Sequence, residues 1–280
     1  MNEQWRAINL ANWESRVRVH AGPGGYPLAA FEDPKYLTDV VRYDLPRLGR
    51  LDDLDVAHLQ CHLGTDTVSL ARLGARSTVG LDFSPSALRV ARELGDRTGS
   101  AVRFIEGDVY DAVELLGAER FDLLYTGIGA LCWLPSISRW AEVVAGLLRP
   151  GGRLFMREGH PVLWSMCDPR PDRLLVIEFP YFETGGVHFR EETTYAGTGV
   201  LSSPDEIVFN HGLGEIFTAL RKVGMTTTSL EEHREVPWNP LGEAMTTSPD
   251  FGGEYILIGD RDRMPLTYTL QAIKDPAITR

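Results

Sequence analysis

The chain has 280 residues, of which 43% are hydrophobic and 24% are charged, so it contains enough apolar residues for a full globular core. It has no apolar run near the roughly 18 residues that span a bilayer, and its start lacks a signal peptide's apolar core, which predicts a cytoplasmic protein without a membrane partner. The formal charge of −11 without a basic run argues against nucleic acid as a partner, and three cysteines without paired spacing favour neither disulfides nor a zinc ribbon.

Residues 1–50 have helical patterns that are broken at Gly22-Pro23-Gly24-Gly25. Aromatic residues, including Trp5, Trp13 and Tyr26, are spread along this segment. The pattern therefore predicts a helical cap that packs over another part of the molecule.

Residues 51–160 alternate short apolar runs with helical patterns, as expected for a parallel sheet flanked by helices. Helices are predicted at Thr65–Leu73, after Ser84-Pro85, and at Ile137–Leu148, whereas Val109–Leu116 is long enough for only a turn or two. The predicted strands are Val56–Gln60, Thr78–Asp82, Val102–Glu106, Asp122–Thr126 and Arg153–Arg157.

Residues 161–205 predict an inserted antiparallel hairpin that could serve as a lid. Its two arms would be Leu174–Phe182 and Val187–Tyr195, joined by the turn Glu183-Thr184-Gly185-Gly186. Residues 206–280 would complete the sheet with a helix at Glu206–Val223 and two further strands. The predicted fold is thus α/β, with a mostly parallel seven-stranded sheet and helices on both faces, and the last two strands are Thr226–Leu230 and Thr267–Ile273.

Ligands of open parallel sheets bind beyond the carboxyl ends of the strands, where the strand order reverses. The turn from His58 to Asp66 leads into a helix whose free amides can hold a carboxylate. Asp82 follows Gly64 by eighteen residues, a spacing that suits an acid bound to ribose hydroxyls. Asp108 and Val109 follow the third strand and suit an adenine edge and face.

Five ordered motifs between residues 56 and 160 resemble the class I methyltransferase family. A closer resemblance, in His58–Asp66, Leu131–Pro135 and Glu158–Pro161, is to a bacterial subgroup with small-molecule substrates. The five family motifs are His58-Leu59-Gln60-Cys61-His62-Leu63-Gly64, Gly80-Leu81-Asp82-Phe83-Ser84, Gly107-Asp108-Val109, Phe121-Asp122-Leu123-Leu124-Tyr125 and Leu148-Arg149-Pro150-Gly151-Gly152.

The resemblance implies a Rossmann-like core that binds S-adenosylmethionine and transfers its methyl group to an N or O atom, less readily C or S, of a small molecule. Two alternatives keep this cofactor, namely its cyclisation or cleavage and a noncatalytic sensor. An NAD-dependent oxidoreductase would need G-x-G-x-x-G in the first turn, which is absent. The implied cofactor-binding residues are Gln60, His62, Gly64, Asp82, Phe83, Asp108, Val109 and Thr126.

The first loop departs from the family pattern at three positions. The family usually has an acid at the position of His58 and glycines at those of Gln60 and His62. The His62 side chain either caps the methionine end of the cofactor or points away from it. His58 and His62 have the spacing of two metal ligands on a helix, but a strand followed by a loop gives them no common face, so no metal site is expected.

Histidines and aromatic residues outside these motifs are candidates for the acceptor side. His160, near Glu158 after the fifth strand, and His211 are predicted as bases or orienting groups, unless backbone partners satisfy them. The subgroup resemblance includes Trp13, Arg16 and His20, so the predicted substrate-binding residues are Trp13, Arg16, His20 and Trp133.

Overall fold

The computed structural model describes residues 4–166, 168–182 and 185–276. Cys167 and the predicted turn residues Glu183 and Thr184 lie outside these ranges. The helices are α1 Gln4–His20, α2 Asp39–Leu48, α3 Thr65–Arg72, α4 Pro85–Thr98, α5 Ala112–Leu116, α6 Ile137–Leu147, α7 Pro161–Trp164 and α8 Leu213–Lys222. The strands are β1 Asp55–Leu59, β2 Ser77–Asp82, β3 Val102–Glu106, β4 Phe121–Thr126, β5 Leu148–Gly159, β6 Val187–Arg190, β7 Asp205–Val208, β8 Met225–His233, β9 Met245–Thr247, β10 Tyr255–Leu257 and β11 Thr267–Lys274.

Seven strands form the main sheet in the order β3-β2-β1-β4-β5-β11-β8. The first five are parallel, while β11 runs antiparallel to both β5 and β8. This arrangement confirms the predicted α/β fold with a mostly parallel seven-stranded sheet. The strand order reverses between β1 and β4, so the carboxyl ends of these two strands flank the crevice where ligands bind in such sheets.

The central strands β1, β2 and β4 are buried on both faces, whereas β3 and β8 at the edges of the sheet are partly exposed. Within β4, Leu124 belongs to the cluster that includes Trp140 of α6, whereas Leu123 and Tyr125 belong to a cluster on the other face. This alternation follows from the two-residue period of a strand. The helices therefore cover the sheet on both sides and hold the strand ends at fixed positions.

Local signals explain where the core helices begin. The Ser84 hydroxyl accepts a hydrogen bond from the Ala87 amide at the start of α4, and Pro85 occupies its first turn. Gly64 precedes α3 with a φ of 72°, and a Cβ added there would lie 2.6 Å from the Phe104 ring. A side chain at Gly64 would therefore disrupt both the turn and the packing beneath it.

An antiparallel hairpin is present after the core, but its strands differ from the predicted arms. Strand β6 pairs with β7, whereas Leu174–Phe182 forms no strand and contributes only a bridge from Ile177 to Met166. The predicted helix at Glu206–Val223 consequently begins later, at Leu213. The reason is tertiary, because the Asn9 side chain on α1 makes two hydrogen bonds to the backbone of Ile207 in β7, of 2.8 and 2.9 Å.

Helix α1 lies against both the core and the hairpin, as a cap would. Its Asn12 amide donates to the Ser203 carbonyl at 3.0 Å, and its Glu14 carboxylate accepts from the Ser86 amide at 3.2 Å. The helix ends at His20, just before the predicted break at Gly22. None of the helices within the described ranges has the length and apolar character that crossing a bilayer requires.

Candidate active site

A cavity opens at the carboxyl ends of β1, β2, β3 and β4, and α1 covers it. The cavity brings together six of the eight predicted cofactor-binding residues, while three α1 side chains, Trp5, Asn9 and Trp13, form part of its wall. The six are Gln60, His62, Asp82, Phe83, Asp108 and Val109. The other two lie behind the wall, because Gly64 packs under Phe104 and Thr126 is fully buried at the end of β4.

The loop after β1 adopts a backbone that normally favours glycine. Gln60, His62 and Gly64 have φ values of 57°, 48° and 72°, all in the left-handed region. Two of these are positions where the family usually has glycine, so the loop keeps the family conformation while adding side chains. The His62 ring extends from this loop into the wall of the cavity.

Asp82 ends β2 and joins the first two loops of the site. Its Oδ2 accepts the His62 amide at 2.8 Å, and its Oδ1 accepts the Ser84 amide at 2.9 Å. Desolvation outweighs these hydrogen bonds and raises the pKa of Asp82 to about 6. Each carboxylate oxygen retains a second lone pair that can accept a ligand hydroxyl.

Asp108 follows β3 and is bound by the cap. Its Oδ2 accepts a hydrogen bond from Nε of Arg6 at 2.6 Å, and its Oδ1 accepts the Tyr110 amide at 2.9 Å. Val109 is buried beside it. The acid and the apolar side chain predicted for an adenine ring therefore sit together under α1.

Glu158 at the end of β5 shapes the loop that follows β4. Its carboxylate accepts hydrogen bonds from the amides of Gly129, Ala130 and Leu131 at 2.9 to 3.1 Å. Desolvation nevertheless raises the pKa of Glu158 to about 7. Gly129 and Ala130 line the cavity, so a buried acid outside the cavity fixes one of its walls.

Gln60 offers a polar group to a ligand. Its Nε2 donates to the Ala130 carbonyl at 3.0 Å, while its Oε1 is buried and has no hydrogen-bond partner within the described part of the chain. A buried carbonyl without a donor is destabilising, and a ligand ammonium or hydroxyl would relieve it. The residues present thus fit a cofactor with an amino-acid end at Gln60, a ribose at Asp82 and a base at Asp108.

The four predicted substrate-binding residues form one cluster with His62. The Trp13 ring lies 4.9 Å from the His62 ring and 5.2 Å from the Trp133 ring, and the Arg16 guanidinium lies 5.2 Å from the Trp13 ring. Nδ1 of His20 is 2.8 Å from Nε2 of His62. Desolvation lowers the pKa of His20 to about 3 and that of His62 below its usual value, so both rings are neutral at pH 7.

A second cavity adjoins the first on the side of this cluster. Asp66 and the paired hydroxyls of Tyr26 and Tyr195, 2.8 Å apart, line both cavities. The aromatic residues of the second cavity are Trp13, Tyr26, Tyr36, Trp133, Trp164, Tyr195 and Trp238. Its wall is therefore largely aromatic and is shared with the predicted cofactor site.

The sequence of the core matches a known family. Residues 57–154 match the sequence model of a family described as a methyltransferase domain. This part of the chain is therefore similar to methyltransferase domains. A curated relative, ribosomal protein L11 methyltransferase of Pelotomaculum thermopropionicum, is 37% identical over 94 residues, which are 33% of this chain and 28% of that protein. The matched segment thus spans little more than a quarter of the relative.

Solved structures share the fold beyond residues 57–154. An S-adenosylmethionine-dependent methyltransferase from Mesorhizobium loti aligns with a TM-score of 0.59 and 22% identity, covering 84% of this chain and 98% of that one. Magnesium protoporphyrin IX methyltransferase from Synechocystis PCC 6803, solved with bound S-adenosylmethionine, aligns with a TM-score of 0.53 and 15% identity over 98% of both chains. At these identities the two alignments show a shared fold.

The predicted catalytic histidines lie away from both cavities. His160 caps α7, where its Nδ1 accepts the Val162 amide at 3.1 Å and its Nε2 is 3.0 Å from Glu232. His211 donates from Nε2 to the Leu134 carbonyl at 2.7 Å. Neither side chain lines either of these two cavities, and the partners of both are those of a structural histidine.

His58 and His62, whose spacing in the sequence resembles that of two metal ligands on a helix, lie in different surroundings in the structure. His58 is buried against Thr67, with Nδ1 of His58 2.9 Å from the threonine hydroxyl, while His62 pairs with His20. Residues 4–166, 168–182 and 185–276 contain no group of three or more histidine, cysteine or acidic side chains placed to hold a metal ion.

Sequence reasoning missed three residues of the site. Asp66 ends the stretch His58–Asp66 that carries the subgroup resemblance, but no spacing rule marked its side chain. Tyr195 comes from the segment after β6, 61 residues beyond Leu134 in the loop after β4. Arg6 reaches Asp108 only because α1 folds over β3, which no local pattern in the sequence indicates.

Proposed function

We propose that the protein transfers a methyl group from S-adenosylmethionine to an N or O atom of a small-molecule acceptor. The observation that carries the proposal is the common wall of the two cavities, in which Trp13, Tyr26, Asp66, Trp133 and Tyr195 face both sides. A donor in the first cavity and an acceptor in the second would meet at this wall. Such close placement supplies most of what a displacement at a methyl carbon requires.

The chain's own residues would bind and orient the two reactants. Asp82 and Asp108 would hold the ribose and the adenine, and Gln60 would accept a hydrogen bond from the amino-acid end. When bound, S-adenosylmethionine supplies a methyl carbon whose bond to sulfur breaks, with the electron pair staying on sulfur, as the acceptor's lone pair bonds to that carbon. Helix α1 would exclude water from the cavity, because Trp5 and Trp13 cover it.

A small molecule suits the second cavity better than a protein chain. The cavity is walled by α1, by the loop after β4 and by the segment around Tyr195, so a ligand inside it would be surrounded. The curated relative is named for a ribosomal protein substrate, but its similarity is limited to 94 residues. The parts that wall the second cavity lie largely outside the matched family segment, residues 57–154.

The proposal is tested by incubating the purified protein with S-adenosylmethionine and a small-metabolite extract, followed by mass spectrometry. We expect S-adenosylhomocysteine together with a product that is heavier by one methylene unit, as methylation requires. Methylthioadenosine without a methylated product would instead indicate cleavage or cyclisation of the cofactor. Cofactor binding without any turnover would contradict methyl transfer to a small molecule in the extract, and methylation of added ribosomal protein would redirect the assignment.

A further inference from the structure

Asp66 differs in its surroundings from the other acids that line the two cavities. Five carboxylates line the cavities, and Asp66 is the one, among the residues that the structure describes, that lines both. Asp82 is bound by two backbone amides and Asp108 by Arg6. The two acids of the second cavity also have cationic partners, because Glu206 pairs with Arg16 and Asp39 with Arg42.

The one hydrogen bond of the Asp66 side chain within the described residues involves only one of its two carboxylate oxygens. The Thr38 hydroxyl donates to its Oδ1 at 2.6 Å. Its Oδ2 faces the loop after β4, since a Cβ built on Gly127 would lie 3.7 Å away. One carboxylate oxygen is therefore available for a ligand at the junction of the two cavities.

The charges around this junction favour a cation over an anion. The second cavity is lined by three carboxylates, Asp39, Asp66 and Glu206, and by one basic side chain, Arg16. Arg16 is bound by Glu206, by the Asn12 side chain at 2.6 Å and by the Thr194 hydroxyl at 3.1 Å. An anionic ligand would thus find no unpaired cation among the described residues of this wall.

We propose that Asp66 determines the specificity of the acceptor site and that the acceptor is a small aromatic or apolar amine, which binds as an ammonium cation and passes a proton to the Asp66 carboxylate before its freed nitrogen lone pair takes the methyl group. The aromatic side chains would contact the body of the amine, and their ring faces would also attract its positive charge. Desolvation raises the pKa of Asp66 to about 6, so the carboxylate is still ionised at pH 7.5 and would gain from a cationic partner. This inference rests on the proposed methyl transfer, because it assigns the acceptor of that reaction.

Two probes of the same shape and opposite charge test the inference. The protein is saturated with S-adenosylhomocysteine, and calorimetry then measures the binding of 2-phenylethylamine and of 3-phenylpropionate. We expect 2-phenylethylamine to bind more tightly than 3-phenylpropionate. We also expect Asp66→Asn to weaken amine binding by about tenfold, the loss of one charge-assisted hydrogen bond, without weakening binding of the acid.

The comparison separates charge recognition from a structural effect. Asp52→Asn removes an exposed acid that pairs with Arg50 and controls for the change in net charge. The inference is overturned if the acid binds as tightly as the amine, if Asp66→Asn weakens both probes equally, or if the amine does not bind. Binding of S-adenosylhomocysteine is measured first, so failure of the cofactor site is distinguished from failure of the amine assignment.

Discussion

Arg6 of helix α1 donates a hydrogen bond from Nε to Oδ2 of Asp108, over 2.6 Å, and thereby joins the cap to the third loop of the core. The arginine side chain is 49% exposed and the aspartate side chain 11% exposed, so the pair lies at the edge of the cofactor cavity. Helix α1 is held over this cavity by its contacts with the core. The Arg6–Asp108 pair is one of those contacts.

We expect Arg6→Gln to loosen the cap. A partly exposed ion pair contributes up to about 1 kcal/mol, so the amides of α1 should exchange up to about fivefold faster with deuterium. Hydrogen–deuterium exchange of peptides from residues 4–20 measures this change. Arg18→Gln on the same helix is the control, since Arg18 is exposed, and equal exchange in the two variants would show that the pair does not hold the cap.

Asp82→Asn should weaken the binding of S-adenosylhomocysteine by at least about tenfold. The asparagine side chain has only one oxygen, so it cannot accept hydrogen bonds from both the His62 and the Ser84 backbone amides. It also lacks the negative charge that would bind the ribose hydroxyls. The two losses together should weaken binding by about 1 to 3 kcal/mol. Isothermal titration calorimetry gives the dissociation constant. With Asp52→Asn as the surface control, an unchanged affinity in Asp82→Asn would remove Asp82 from the cofactor site.

His58 should make the protein less stable in mild acid. Burial lowers the pKa of His58 to about 3, so the folded protein keeps this ring neutral while the unfolded chain protonates it near pH 6.5. The stability that the neutral His58 ring contributes is fully present above pH 6.5 and is lost progressively as the pH falls from 6.5 towards 3. Between about pH 7.5 and about pH 5.5, the wild type should lose about 1.4 kcal/mol relative to His58→Gln.

Urea unfolding of both proteins at the two pH values measures this loss. Both proteins contain the other titrating groups, so the contributions of those groups to the pH dependence of stability cancel in the comparison. They include Asp82 and Glu158, whose raised pKa values favour the folded protein as the pH falls. A stability difference that does not change with pH would show that His58 is equally protonated in the folded and unfolded states.

Glu254→Gln should reduce the free energy of unfolding by about 3 kcal/mol. Glu254 forms two hydrogen bonds with Arg157, of 2.9 and 2.7 Å, and both side chains are fully buried, so the variant leaves a buried guanidinium without its counter-charge. Urea unfolding measures the loss. The double variant Arg157→Met with Glu254→Leu removes both charges and should be more stable than Glu254→Leu alone; equal stabilities would mean that the pair is not coupled.

The sequence by itself determined the core and the positions of its strand ends. The runs at Val56–Gln60 and Thr78–Asp82 are apolar enough to be recognised as buried strands, and Ser84-Pro85 marks a helix start because capping is local. Once the strands are parallel, their carboxyl ends must share one edge, so the meeting of Asp82 and Asp108 at one cavity followed from order and spacing alone.

Only the tertiary structure decided what surrounds that edge. Residues 174–182 and 187–195 have similar β-forming compositions, and contacts with α1 at Ile207 selected β7 as the partner of β6 instead. Likewise, the pairing of Arg6 with Asp108 and the place of Asp66 between two cavities depend on segments far apart in the chain. Such contacts leave no periodic or spacing signal, because they are set by how whole elements pack and not by the local backbone.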